Sequence, residues 1–354
     1  MLEKLELTNF TSFERLDVTF SAKINVIVGE NGTGKTHLLK AAYALCAGAP
    51  LFKNKSDLND DELATALTTK LIRLFMPLDD KLGKLHRQGA TEQAHFSARF
   101  FQGQKISATF FNNSKALAIQ SRANYEKFQN EAVFIPTKEV LSFMKGFNSL
   151  YEKYGLSFDQ SYQDICLLLD LPEIRPENLN AKSKWAIEQI EKVCDGRFVF
   201  YGGGKVTFRT EHTEYSANAM AEGFRKAGML ARLLETGAIQ PGASGPLFWD
   251  EPETNMNPKL MKLLVEILLE MARNGQQIIL ATHDYVLLKW FDLLMDNKGK
   301  DDHVRFHALY RDGDGRVKVD SVDDYRAITP NAIADTFNEL TKEQVNKKMG
   351  GLGK

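Results

Sequence analysis

Eight residues constrain this chain more than any others: Gly29-Glu30-Asn31-Gly32-Thr33-Gly34-Lys35-Thr36. They follow an apolar run, Ile24 to Val28, and precede a helical pattern over about Thr36 to Ala47 that stops at Gly48 and Pro50. A continuous apolar run is what a parallel strand buried on both faces needs, and Gly and Pro close a helix. A strand that turns through glycines into a helix points successive backbone N–H groups at one spot, where the helix dipole also favours an anion. The spacing G-x-x-x-x-G-K-T in this context predicts a phosphate cradle. Gly29, Asn31, Gly32, Thr33 and Gly34 would serve through the backbone, Lys35 on the β and γ phosphates, Thr36 as a Mg²⁺ ligand and His37 beside them.

Two later strands deliver polar residues in the same way. Pro246-Leu247-Phe248-Trp249 runs apolar into Asp250 and Glu251, which places two carboxylates at the carboxyl edge of a parallel sheet, where ligands bind in open α/β sheets. Asp250 is expected to hold Mg²⁺ and Glu251 to orient or deprotonate an attacking water. Glu253 either shares that work or only buffers the loop before a helix that Asn257 and Pro258 would start. Ile278-Ile279-Leu280-Ala281 repeats the design and ends in Thr282-His283, so His283 is expected to reach the γ-phosphate or the water. The ligands implied are ATP and Mg²⁺.

The rest of the chain reads as α/β with a largely parallel core sheet. Residues 1–136 form an N-terminal nucleotide-binding lobe, 137–228 a helical insert, 229–329 a C-terminal lobe and 330–354 a tail, frayed after Val345. Hairpins are expected over Ala94 to Asn112, about Gly103, and over Phe198 to Thr210, about Gly202 to Gly204, with a helix over about Ala219 to Glu235. Composition is that of a water-soluble globular protein, 43% hydrophobic and 26% charged. Lys and Arg number 45 against 46 Asp and Glu, so net charge gives no argument for nucleic acid or membrane. The N-terminus MLEKLELTNF has no apolar signal core, and Cys46, Cys166 and Cys194 stand apart as reduced residues; a cytoplasmic location is expected.

With these three stations in order, the chain resembles the ABC-like ATPases of the SMC, RecF and overcoming-lysogenization-defect group. The likeness is greatest to stand-alone AAA family ATPases of bacterial phage-defence operons. It runs through NFTSF, GENGTGKT, FIPTKE, AEGFRKAGMLARLL, LFWDEPETNMNP and ATHD. It implies an ATPase head with an antiparallel β subdomain and an inserted helical arm. Gly29 to Thr36 corresponds to Walker A, Leu247 to Glu251 to Walker B with the catalytic Glu, Glu253 to Pro258 to the D-loop and His283 to the switch histidine. Ala221-Glu222-Gly223-Phe224-Arg225 lies where the family has its signature, with Ala221 in place of serine; Gly223 and Arg225 are then the nucleotide contacts. The Q-loop glutamine has no clear counterpart, Gln102 and Gln104 being possibilities. In this family two subunits sandwich two ATP molecules head to tail, so a homodimer or higher homo-oligomer is implied.

Two features suggest other activities. Asp312-Gly313-Asp314-Gly315 offers a DxD pair as in a Toprim nuclease, but between alternating strands it reads as a hairpin turn, and the stretch after it is too short for such a domain. Lys70, Arg73, Lys81, Lys84, Arg87, Arg99 and Lys105, interleaved with Phe96, Phe100 and Phe101, could line a nucleic-acid groove, yet read better as a solvated face beside a hairpin. The first functional reading is a regulatory ATPase that holds a separate effector, a nuclease or toxin, docked on Phe147, Tyr151, Tyr154 and Trp185 of the helical segment. The alternative is a RecF-like, ATP-dependent DNA clamp.

Overall fold

The apolar run before the glycine loop becomes a strand whose residues alternate between two separate cores. In the computed structural model, which describes residues 1–349 except 54 and 56, β1 (Leu2–Phe10) and β2 (Phe13–Thr19) form an antiparallel N-terminal hairpin. β3 (Ile24–Gly29) leads through the loop into α1 (Lys35–Ala47). α2 (Asp60–Phe75) follows, started by a capping box: Asn59 accepts from the Glu62 amide while the Glu62 carboxylate accepts from the Asn59 amide. Next come β4 (Ala94–Phe100), β5 (Lys105–Phe110), β6 (Ala118–Ala123) and β7 (Val133–Ile135). The helices α3 (Phe147–Tyr154), α4 (Gln160–Leu169) and α5 (Ala181–Cys194) precede a meander of β8 (Arg197–Phe200), β9 (Val206–Arg209) and β10 (Glu214–Ser216). After it run α6 (Glu222–Glu235), β11 (Leu247–Asp250), α7 (Pro258–Arg273), β12 (Ile278–Ala281), α8 (Tyr285–Leu294), β13 (Val304–Arg311), β14 (Val317–Val322) and α9 (Ala332–Met349).

The central sheet has the order β14-β13-β3-β12-β11-β7, parallel throughout except for the β13–β14 hairpin. It draws strands from both the 1–136 and the 229–329 segments, which therefore share one sheet. Val26, Val28, Val133, Leu247, Trp249 and Leu280 face a core covered by helices α4 to α8. Their neighbours Ile27, Phe134, Phe248 and Ile279 face the other core, under α1 and the antiparallel sheet β2-β1-β4-β5-β6. Burial on both faces is why these strands read as apolar runs without alternation. No helix among the described residues is long and apolar enough to cross a membrane.

Three local expectations change. α6 begins at Glu222 rather than Ala219, because Ala217–Ala219 form a separate turn capped by the Ser216 hydroxyl. The tail is helical through Met349, with Phe337 stacked on Tyr285 at 4.2 Å; residues 350–354 lie outside the described residues. The helices of the insert lie against the sheet, α4 on β7 and α5 on α6 and α7. Their apolar stripes, Ile165 and Leu169 on one and Ile190 and Cys194 on the other, require that burial. Of the four aromatics offered as a docking surface, Phe147 is 3% exposed, Tyr151 and Trp185 pack on the core, and Tyr154 alone stands in solvent, which removes most of that surface.

Candidate functional site

Four segments leave the same edge of the central sheet. The register sets Ala281 beside Ile27 and Asp250, and Trp249 beside Ile135. The glycine loop, the Asp250–Glu251 pair, Thr282–His283 and the turn at Thr137 thus begin at neighbouring carboxyl ends, the edge at which α/β sheets bind ligands.

The glycines of the loop are required by two different constraints. Gly29 and Gly34 have φ of 151° and 93°; a Cβ on Gly29 would stand 2.3 Å from Leu309 O, and one on Gly34 2.7 Å from the Phe13 ring and Ser12 Oγ. Gly32 has open space around it and only needs its φ of 79°. Thr33 is buried and closes the loop by donating to Glu30 O at 2.8 Å. Lys35 is also buried, its Nζ donating to Gly29 O at 2.7 Å and Glu30 O at 3.1 Å. Burial lowers its pKa, and the nearby Glu251, Asp250 and Glu253 oppose that shift. Asn31 and His37 are exposed, the His37 ring meeting the edge of Phe75. Sequence reasoning missed three residues here. The hydroxyls of Thr11 and Ser12, in the turn of NFTSF, are buried without a partner, and Arg311 braces the loop by donating to Gly32 O at 2.9 Å.

Asp250 is 5% exposed, and burial raises its pKa. Its Oδ2 accepts from Thr36 Oγ1 at 2.9 Å and Thr137 Oγ1 at 3.1 Å, while Oδ1 is buried with no partner. One carboxylate and two hydroxyls, with an orphaned oxygen, suit a hard cation such as Mg²⁺ that completes its shell with water and phosphate. No group of three or more His, Cys, Asp or Glu able to hold a metal occurs among the described residues. Thr137 was not assigned a role from sequence; its signal was its place in FIPTKE, just after Pro136.

Glu251 continues the sheet by donating its N–H to Ala281 O at 2.9 Å, yet has φ 49°, a left-handed conformation that costs a non-glycine residue about 1–3 kcal/mol. Its Oε1 lies 3.2 Å from His283 Nδ1, and Oε2 accepts from Thr254 Oγ1 at 3.3 Å. Glu253 is more than a loop buffer. It is buried, which raises its pKa, and its Oε1 accepts from Thr282 Oγ1 at 2.7 Å and from the His283 amide at 3.2 Å. It thereby fixes the backbone from which half-exposed His283 projects.

The remaining candidates lie elsewhere or have partners already. Gly223 is buried, and a Cβ there would stand 3.1 Å from Asn255 O. Arg225, expected to be free for a phosphate, lies with Nε 2.8 Å from the buried Glu139 carboxylate and also donates to Met220 O. Gln102 and Gln104 lie at the turn after β4, whose last residue pairs with Leu2; Leu2 in turn bonds Gln277 at the amino end of β12, opposite the site. Of the basic stretch, Lys70, Arg73, Lys81, Arg87 and Arg99 pair with Asp164, Glu152, Asp79, Glu14 and Glu3; Phe96 and Phe100 are core, and Phe101 is exposed. Asp312 accepts from the Asp314 and Arg316 amides and closes the β13–β14 turn.

Comparison with known proteins bears on the family and the fold. A family described as "AAA ATPase domain" matches residues 1–198, and one described as "AAA domain, putative AbiEii toxin, Type IV TA system" matches residues 174–289. The DNA replication and repair protein RecF of Oceanobacillus iheyensis is 52% identical over 44 residues, 12% of each chain. RecF of Bacillus velezensis is 42% identical over 62 residues, 18% of this chain and 16% of that protein. The chain therefore spans under a fifth of the length of these curated relatives. In fold it is similar to an SMC head bound to the C-terminal winged-helix domain of ScpA, with TM-score 0.55, 14% identity and coverage of 91% and 97%. The SMC head of Thermotoga maritima gives TM-score 0.51 at 13% identity, with coverage of 91% and 98%. The "AAA ATPase domain" match spans more than half of the sequence, with the whole glycine loop inside it, and the chain belongs to that family.

Proposed function

We propose that the protein is a Mg²⁺-dependent ATP hydrolase that works as an ATP-sandwiched, head-to-tail dimer in the cytoplasm. The observation that carries this is the convergence on Asp250 Oδ2 of hydroxyls from the glycine-loop helix and the Thr137 turn, with Glu251 and His283 alongside. Mg²⁺ bound with ATP supplies positive charge against the phosphate oxygens, and Thr36, Thr137 and Asp250 would hold it. Lys35 exchanges Gly29 O and Glu30 O for the β and γ phosphates, and Ser12 offers its unpaired hydroxyl. Glu251 orients a water and accepts its proton, and His283, 3.2 Å away, steadies the carboxylate and hydrogen-bonds the γ-phosphate.

The dimer rests on the N-terminus of α6, which has no side-chain cap at Ala221. The amides of its first residues, Glu222 and Gly223, suit a phosphate held by a second subunit, those of Phe224 and Arg225 being bonded to Ala221 O. Arg225, already paired with Glu139, would serve by holding α6 in place. The family match over 174–289, described with an AbiEii-type toxin, supports a role in holding or licensing a separate effector. The local RecF matches support the alternative, a DNA clamp. Light scattering of Glu251→Gln separates the readings. ATP with Mg²⁺ is expected to double the mass, and 30-base-pair duplex DNA to leave the dimer unshifted if the effector reading holds. A DNA-bound dimer would establish the clamp, and a monomer throughout would remove the sandwich.

A further inference from the structure

Lys226 occupies an unusual place for a lysine. It lies on α6, one residue past Arg225, and is 1% exposed, among the largest fully buried side chains of the described residues. A buried ammonium needs a reason, because removing it from water is costly unless partners compensate. Its Nζ donates to the backbone carbonyl of Glu251 at 3.2 Å. Glu251, Glu253, Asp250 and Glu222 are the acids whose charges favour keeping it protonated, against the burial that lowers its pKa.

The carbonyl it holds belongs to the residue with the left-handed φ of 49°. That conformation interrupts β11 immediately after Asp250 and turns the Glu251 side chain toward His283 Nδ1, 3.2 Å away. The Glu251 carbonyl also accepts from the Thr254 amide at 3.2 Å, so a local turn and a side chain from another helix meet on one oxygen. The same helix packs closely on the segment after Glu251, since a Cβ on Gly223 would stand 3.1 Å from Asn255 O and 3.2 Å from Met256 Cα. α6 and the catalytic turn are therefore joined by one hydrogen bond and one close backbone approach.

We propose that Lys226 is a positioning residue for hydrolysis: by donating to Glu251 O from within the core, it fixes the left-handed turn that sets the Glu251 carboxylate beside His283, and makes that placement depend on where α6 stands. The inference rests on the ATPase reading and adds to it a route by which anything that grips the start of α6, a second subunit above all, acts on the catalytic carboxylate.

A double-mutant cycle tests it, using wild type, Lys226→Met, Glu251→Gln and the double variant of the full chain. Single-turnover hydrolysis of Mg-ATP is measured together with the Kd of a fluorescent ATP analogue and the melting temperature. Lys226→Met is expected to slow hydrolysis about 10- to 100-fold, the size of effect that misplacing a reacting group produces, with Kd changed less than about threefold. In the Glu251→Gln background the same substitution should change the residual rate less than about twofold, because the group it positions is already lost. Lys226→Gln, which keeps an N–H donor, should fall between wild type and Lys226→Met, and takes its place in the cycle should the methionine variant melt early. Equal slowing in both backgrounds, weakened nucleotide binding, or an unaffected rate would each overturn the proposal. A wild type that binds the analogue without hydrolysing ATP would overturn the ATPase reading and this inference with it; any other failure concerns Lys226 alone.

Discussion

His307 shows how single residues are held in the sheet that carries the site. It is fully buried on β13, with Nε2 3.2 Å from Asn25 Oδ1 and Nδ1 2.8 Å from Ser321 Oγ. Asn25 Oδ1 is oriented as an acceptor by the Ser21 amide at 2.7 Å, so Nε2 donates to it; with burial holding the ring neutral, Nδ1 accepts from the Ser321 hydroxyl. Burial is the main cause that pushes its pKa down to about 3, with Arg305 adding to the shift and Asp323 opposing it. In the unfolded chain the group titrates near 6.5. On acidification the unfolded chain takes up the proton first, so stability falls as pH drops from about 6.5 toward 3, with nothing lost above that window. Thermal unfolding followed by circular dichroism should show this slope, and His307→Gln should flatten it; equal slopes in the two proteins would contradict the assignment.

At the scale of elements, the glycine loop depends on β13 as much as on its own sequence. Gly29 combines a φ of 151° with an approach to Leu309 O that leaves no room for a Cβ. Gly29→Ala should therefore destabilise the fold by at least about 2 kcal/mol and abolish nucleotide binding, whereas Gly32→Ala, strained only in φ, should cost about 1 kcal/mol. Melting curves and analogue titrations check both, and a Gly29→Ala protein that melts with the wild type would refute the packing argument. β3, β11 and β12 were legible in the sequence because burial on both faces leaves an uninterrupted apolar signature. β6 and β10 were not, since their residues are mostly exposed and carry no such pattern. α9 was missed because its polar sequence, read alone, has no apolar face strong enough to require burial.

Across the whole molecule, the legible part of the site is the part fixed by contiguous chemistry: the glycine loop, Asp250–Glu251 and His283 each follow a strand that announces itself. Thr137, Glu253 and Lys226 gain their meaning from strand order and helix packing. β7 happens to lie beside β11, and a lysine in a helical pattern looks like any solvated cation until α6 is laid over the turn at Glu251. Arg225 shows the reverse error, a cation that reads as free and is paired with Glu139. Hydrolysis of ATP at the assembled edge is expected to run through Glu251. Phosphate release from saturating Mg-ATP, with analogue binding measured alongside, is the direct measurement for wild type, Glu251→Gln and Lys35→Ala. Glu251→Gln is expected to bind nucleotide as wild type does but to turn over about 100-fold more slowly, the loss of one general-base contribution, and Lys35→Ala to lose both binding and turnover. Undiminished phosphate release by Glu251→Gln would contradict that expectation.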